Sequence, residues 1–357
     1  MKRYGNLYQK IYDMDNLYEA HRNARKDKLF YKEVQMVDAD PEKYLTEIHN
    51  MLKNHTYEVS EYTISIINDK GKERELAKLP YFPDRIIQWA ILLQIESIFM
   101  ETFCFHTCAS IKYRGITQAH NLLDKYLTDV RGTTYCLKMD VSKFYPSIDH
   151  EILKKLLTKK FKDPELLELM NKIIDSSPHP TGVPIGSYLS QFLANYYLSY
   201  FDHWLKEEKG ARYVVRYMDD VVILSPSKAW LHKLRKDIDS YLQDNLNLKL
   251  KDNWQVFPVE SRGIDFVGFR RFHDFCLLRK KTCKRMKQKM LKVKAKTQNG
   301  DLMNYSEWCS MNSYRGWLKM CDSYRLYMKY LFPVEQNIED YYNKVIKPKK
   351  KGKVKEK

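Results

Sequence analysis

No apolar stretch in the 357 residues is long enough to cross a membrane as a helix, and no signal peptide is evident. The seven cysteines are odd in number and lack paired metal-site spacing. They are therefore expected to be reduced thiols in a cytoplasmic protein. Cys104 and Cys108 flank His106, but the two further ligands a structural zinc needs are missing. There is no internal repeat. Acidic residues are in deficit: 45 Asp and Glu stand against 62 Lys and Arg, a formal net charge of +17. That excess predicts a polyanionic partner, because each phosphate neutralised by a cation releases counterions. Basic surface alone would equally suit a membrane face. The length supports a multi-lobed enzyme with a substantial core.

What the chain does contain is concentrated in Tyr213 to Leu224, which reads YVVRYMDDVVIL. Two β-branched apolar runs favour buried strands, and a tight turn between them would hold Asp219 and Asp220 at an exposed tip. Adjacent acids repel, so a fold keeps them at a tip mainly to hold a cation. Hard oxygen ligands in small number suit Mg2+ bound together with substrate phosphates. Asp is also an ordinary turn residue, and the specificity comes from a second acid upstream. Tyr135 to Met139 alternates as a strand and runs into Asp140, before the chain turns at Phe144-Tyr145-Pro146. Side by side in one sheet, the two segments would bring Asp140, Asp219 and Asp220 around a shared pair of ions. Such ions activate a 3′-hydroxyl and steady the leaving pyrophosphate, the chemistry of nucleotidyl transfer. Positioning and charge neutralisation carry most of that catalysis. Asp149, followed by a helical stretch from His150 to Lys160, reads instead as a helix N-cap.

Asp140 with Phe144-Tyr145, then Gly186 to Gln191, then Tyr217-Met218-Asp219-Asp220 resembles motifs A, B and C of reverse transcriptases, in that order. The resemblance extends from about Arg74 to Tyr330. It implies an α+β right-hand polymerase, with fingers, a palm of antiparallel sheet and helices, and a helical thumb. It implies an RNA-directed DNA polymerase that takes dNTPs, template RNA and RNA–DNA hybrid. Two Mg2+ ions, with Mn2+ as a substitute, would sit on Asp140, Asp219 and Asp220. Tyr145, five residues after Asp140, matches the steric gate against a 2′-hydroxyl, although Phe144 and Tyr145 also read as core aromatics. Gly186 lets the backbone approach a ligand, Ser187 reads as a helix cap, and the segment leads into a helical run from Phe192 to Lys206.

The chain departs from the commoner family pattern at this second motif. Retroviral and intron-encoded enzymes usually carry Gln-Gly, with Ser-Pro four residues later; here Ile185-Gly186 is followed by Ser190-Gln191. Isoleucine cannot hydrogen-bond the sugar, so a looser nucleotide pocket and lower fidelity are expected. This form is similar to the enzymes of diversity-generating retroelements, which copy a template RNA with errors at adenines and bind a small basic accessory protein. It also occurs among related prokaryotic enzymes, some used in phage defence. A catalytically idle, RNA-binding polymerase homologue is the reading from a different class.

The resemblance assigns further roles. Arg74, in the segment Arg74 to Gln88, matches a fingertip clamp on the triphosphate, with Lys72 and Lys78 as weaker candidates. The nucleotide site is completed by Tyr145, Ile185, Gly186 and Gln191. Asp84 and Arg85 read as a pair bracing the fingers. Arg114 matches a contact to the template backbone. Tyr217 and Met218, with Phe266, Gly268 and Phe269 of a primer-grip hairpin (Arg262 to Arg270), are expected at the template–primer. Where the family usually places a proton-donating lysine this chain has Asn253-Trp254; Lys249 and Lys251 lie nearby, and the sequence assigns no general acid. The expected domains are a basic helical extension (1–53), fingers (54–134), palm (135–272, with a finger insertion at about 150–180), thumb (273–345) and a disordered basic tail (346–357). The thumb would begin with a basic amphipathic helix, Lys280 to Lys296. No RNase H, maturase or endonuclease segment is recognisable, so RNA processing is expected from another protein.

Overall fold

The computed structural model describes residues 2–69 and 71–348. Two compact units emerge: residues 1–123 with 137–256, and residues 124–136 with 257–357. The mixed helix-and-strand architecture expected from the sequence is the one observed.

After a single turn at Tyr8–Ile11, the first unit continues with helices Met14–Ala24, Lys32–Ala39 and Pro41–Lys53. Asp13 caps the first and Asp40, ahead of Pro41, caps the third, each accepting backbone N–H bonds. Helix Ile86–Met100 buries Ile86, Ile87, Ala90, Ile91, Leu92, Ile95, Ile98 and Phe99, and so runs through the core. Asn16 of the first helix donates to the Ala90 carbonyl at 3.1 Å. Strands β1 (Thr63–Asp69) and β2 (Lys72–Lys78) form an antiparallel hairpin, with Asn68 accepting from the Gly71 N–H across its turn.

The sheet that positions the acids contains β3 (Tyr135–Asp140), β4 (Tyr213–Tyr217), β5 (Asp220–Ser225) and β6 (Gln255–Pro258), in the order β4-β5-β3-β6. The chain passes between the units three times, within helix Gly115–Leu127, within β3 and within β6. β4 and β5 pair antiparallel from Tyr213↔Leu224 to Tyr217↔Asp220. Only Met218 and Asp219 are left for the turn. Val214, Val215, Val221, Val222 and Ile223 are buried, as β-branched residues in a covered strand should be. The helical run expected over Phe192 to Lys206 is two helices, Tyr188–Tyr197 and Ser199–Glu207, broken at Leu198. Asp149 does cap His150–Lys160, accepting from Ile152 N–H at 3.0 Å.

The second unit holds the meander β7 (Ile264–Phe266), β8 (Phe269–Arg271) and β9 (Cys276–Leu278). Helices Lys280–Gln298, Tyr305–Leu318 and Phe332–Tyr341 follow it. Met286, Met290 and Val293, at spacings of four and three, give the lysine-rich first helix one buried face. Asn304 and Glu307 form a reciprocal capping box at the second. Phe269 packs into the same core as Met286, Met311, Leu331 and Ile338. The meander and these helices therefore group together, and the two units divide at 256/257. Of the tail expected at 346–357, residues 349–357 lie outside the described residues. Among the described residues no disulfide forms, and no helix is long and apolar enough to cross a membrane.

Candidate active site

Three chain segments meet at the acids. β3 delivers Asp140 at its C-terminal end. The β4–β5 turn delivers Asp219, whose carbonyl accepts from Val141 N–H at 3.4 Å. The segment 249–251 runs alongside, with Lys251 N–H donating to the Asp140 carbonyl at 2.9 Å and Ser142 N–H to the Lys249 carbonyl at 2.8 Å. Backbone pairing therefore fixes Asp140 between the acidic turn and Lys251.

The side chains have an uneven charge balance. Burial, and then the facing Asp140 carboxylate, push the Asp219 carboxyl up to about 7. Asp140 Oδ1 is buried without a hydrogen-bond partner. Its other oxygen, Oδ2, accepts from Lys251 Nζ. Asp220 is engaged elsewhere: Lys138 Nζ donates to its Oδ1 at 2.6 Å. Lys138 lies two residues before Asp140, hence on the same face of β3.

Asp140 and Asp219 abut, and Asp220, the next residue along, pairs with Lys138. Among the described residues no three His, Cys, Asp or Glu side chains form a ready metal cluster. The pair nevertheless suits a divalent cation. Two abutting carboxylates, one oxygen of which is buried without a donor, leave a charge and a lone pair that a hard cation satisfies.

Around the pair, Tyr145 is half-buried and Phe144 fully buried, their rings 5.7 Å apart. Burial and then the nearby Asp219 raise the Tyr145 hydroxyl well above its usual range. Gly186 adopts φ +116°, which only glycine takes without strain. Ser187, next to it, accepts from Ser190 N–H at 3.4 Å and donates to Gln88 at 2.6 Å. Ile185 is half-buried just before this bend. Gln191 lines a cavity of about 290 Å3 together with Gly186, Lys26, Lys28 and Arg85. Its wall includes Trp89 and Tyr188, stacked at 5.0 Å.

Other predicted residues lie elsewhere or do other work. Arg74 is exposed on β2, opposite Ile67. Lys72 starts the same strand, but its side chain lies outside the described residues. Tyr217 is half-buried, and Met218 is buried at φ +58°. Arg114 turns inward, donating to the Cys104 carbonyl at 2.7 Å and the Thr107 carbonyl at 3.0 Å, so it braces a loop. Asp84 and Arg85 do not pair with each other. Asp84 accepts from the Tyr57 hydroxyl at 2.7 Å and from Ser60 N–H at 3.1 Å, and Arg85 reaches the Gly186 carbonyl at 3.5 Å. Phe266 and Phe269 are both buried. A Cβ at Gly268 would overlap the Trp317 ring, so this glycine serves close packing.

Sequence reasoning missed two features. Lys138 holds Asp220. Beneath the acidic turn, Arg216 is wholly buried against Asp202. The signal was present: an arginine inside the run VVRY must find a partner if the strand is covered. Its partners lie on other elements, which spacing does not reveal.

The family model described as reverse transcriptase (RNA-dependent DNA polymerase) matches residues 66–270. Protein YkfC of Escherichia coli is 24% identical over 262 residues, covering 62% of this chain and 68% of that protein. The group II intron-encoded protein LtrA of Lactococcus lactis is 29% identical over 217 residues, covering 57% of this chain and only 35% of the relative. A solved telomerase from Candida albicans shares the fold at a TM-score of 0.50 and 12% identity, over 81% of this chain and 61% of that one. The family match spans more than half the sequence and includes Asp140, Asp219 and Asp220, and on that ground the chain belongs to the reverse transcriptase family.

Proposed function

We propose that this protein is an RNA-directed DNA polymerase that extends a 3′ end along template RNA, with Asp140 and Asp219 as its principal metal-holding carboxylates. The abutting pair, with the partnerless Oδ1 of Asp140, carries this reading. Divalent cations bound there, Mg2+ or Mn2+ in a two-ion arrangement, would activate the 3′-hydroxyl and neutralise the leaving pyrophosphate. Lys251 and Lys138 balance the outer oxygens of Asp140 and Asp220, and Asp220 serves as the secondary acid. Tyr145 beside Asp219 excludes the 2′-hydroxyl of a ribonucleotide. Arg74 and Lys72 on the fingertip hairpin hold the dNTP triphosphate. Ile185, Gly186 and Gln191 shape the base and sugar pocket.

Synthesis is error-prone in this reading, as in a diversity-generating retroelement. Its support is Ile185, an apolar side chain where a sugar-bonding glutamine is commoner. The partners would then be a template-repeat RNA and a small basic accessory protein. Primer extension on a defined RNA template with dNTPs and Mg2+, followed by sequencing of the products, tests both levels. RNA-templated extension with errors concentrated opposite adenine is expected. No extension removes the polymerase reading, and accurate copying removes only the retroelement role. Ile185→Gln is expected to lower misincorporation opposite adenine.

A further inference from the structure

Arg216 is fully buried in β4, two residues before the acidic turn. All five of its N–H donors are used. Nε donates to both Asp202 oxygens at 2.8 and 3.0 Å, and one Nη2 hydrogen to Asp202 Oδ2 at 2.6 Å. The other Nη2 hydrogen faces the Asn195 carbonyl at 3.5 Å, and Nη1 reaches Asn195 Oδ1 at 3.2 Å. The fifth donor bonds the Met218 carbonyl at 2.9 Å. That carbonyl belongs to the peptide unit joining Met218 to Asp219. Met218 is a non-glycine residue at φ +58°, a backbone state that needs support from outside the turn.

The far ends of this cluster are anchored. Asp202 also accepts from Thr107 Oγ1 at 2.7 Å, with His106 Nε2 3.6 Å away. Asn195 donates to the Ala109 carbonyl at 2.9 Å. The Arg216 backbone bonds His106 and Cys108 at 3.0 and 2.9 Å. Asn195 lies on helix Tyr188–Tyr197, which begins beside Gly186. One guanidinium thus ties the acidic turn to the helix that follows the second motif.

We propose that Arg216 is a positioning residue for metal binding: by holding the Met218 carbonyl, it fixes the turn in the geometry that presents Asp219 to Asp140. The proposal rests on the polymerase reading above for its kinetic arm, but its metal-binding arm does not. A merely structural ion pair would have no need of the turn carbonyl. Lysine at this position has a single ammonium, which cannot serve Asp202, Asn195 and Met218 together.

Two variants test this. Arg216→Lys keeps a charge for Asp202, and the double variant Arg216→Met/Asp202→Leu removes both buried charges without orphaning either. Mn2+ affinity is read by electron paramagnetic resonance on protein without nucleic acid, and primer extension gives kcat and KM separately. Folding is followed by a cooperative thermal melt. For either folded variant the Mn2+ dissociation constant is expected to rise about tenfold to a hundredfold, as for loss of an outer partner of a metal ligand. The expected kcat falls by a similar factor, with KM for dNTP at the wild-type value. Wild-type Mn2+ affinity in a folded variant overturns the proposal, as does an effect on KM alone. Failure of both variants to fold also overturns it, because the cluster would then be a stability element. Wild-type protein that binds Mn2+ in an Arg216-dependent way yet extends no primer leaves this inference standing and removes the polymerase reading.

Discussion

Asp202 and Asp219 are carboxylates of the same unit, both withdrawn from water, and their protons are pulled in opposite directions. Burial raises both. At Asp202 the Arg216 guanidinium and His106 outweigh burial and hold the carboxyl well below the usual range. At Asp219 burial is reinforced by Asp140, and the carboxyl rises. One acid is saturated with donors from the fold. The other is left short, facing a second acid with an unpartnered oxygen. The first arrangement holds structure together, whereas the second is tolerable only if something positive arrives.

The largest expected effect separates chemistry from stability. Asp219→Ala should reduce RNA-templated extension by at least about a hundredfold to a thousandfold, while the thermal midpoint stays level or rises because two abutting acids become one. A melt that collapses in this variant would make the two aspartates equivalent. The mirror case is Asp202→Ala, which leaves Arg216 buried and unpaired. It should cost about 3–5 kcal/mol of stability by denaturant unfolding. A loss under about 1 kcal/mol would place Asp202 among ordinary surface pairs.

Acid titration sharpens the contrast further. The folded Asp202 carboxyl is depressed, so its stabilisation is present above the unfolded carboxylate value and fades as pH falls towards the folded one. The stability difference between wild type and Arg216→Met/Asp202→Leu should therefore shift in favour of the double variant between about pH 5 and pH 2. A difference constant across that window would mean that Asp202 is not the group that titrates. The smallest effect belongs to Asp149, an acid with an ordinary helical duty. Asp149→Ala should cost about 1 kcal/mol in unfolding experiments and leave primer extension unchanged.

How much of this was legible beforehand follows the range of the interactions. Asp149 and Ser187 were readable as caps because a cap bonds only two or three residues away. The hairpin was readable because β-branched runs bracket it, but its two turn residues are Met218 and Asp219, and Asp220 already belongs to β5 rather than to the tip. The order of the three motifs placed Asp140 beside Asp219. Side chains with distant partners were not readable. Lys138 meets Asp220 across 82 positions, and Arg114 points inward because carbonyls at 104 and 107 curl around it. Phe266 and Phe269 read as grip residues, yet both are buried, and Phe269 belongs to the core of the second unit. Periodicity shows that one face of a short strand is apolar, but not which neighbour will cover it.

The pairing of Asp140 with Asp219, and the separate engagement of Asp220 by Lys138, is tested most directly by Mn2+ titration of three proteins without nucleic acid. Wild type should bind, Asp219→Asn should lose about tenfold to a hundredfold in affinity, and Asp220→Asn should stay near wild type. Equal losses in the two variants, or no loss at Asp219→Asn, would contradict a cation held principally by Asp140 and Asp219.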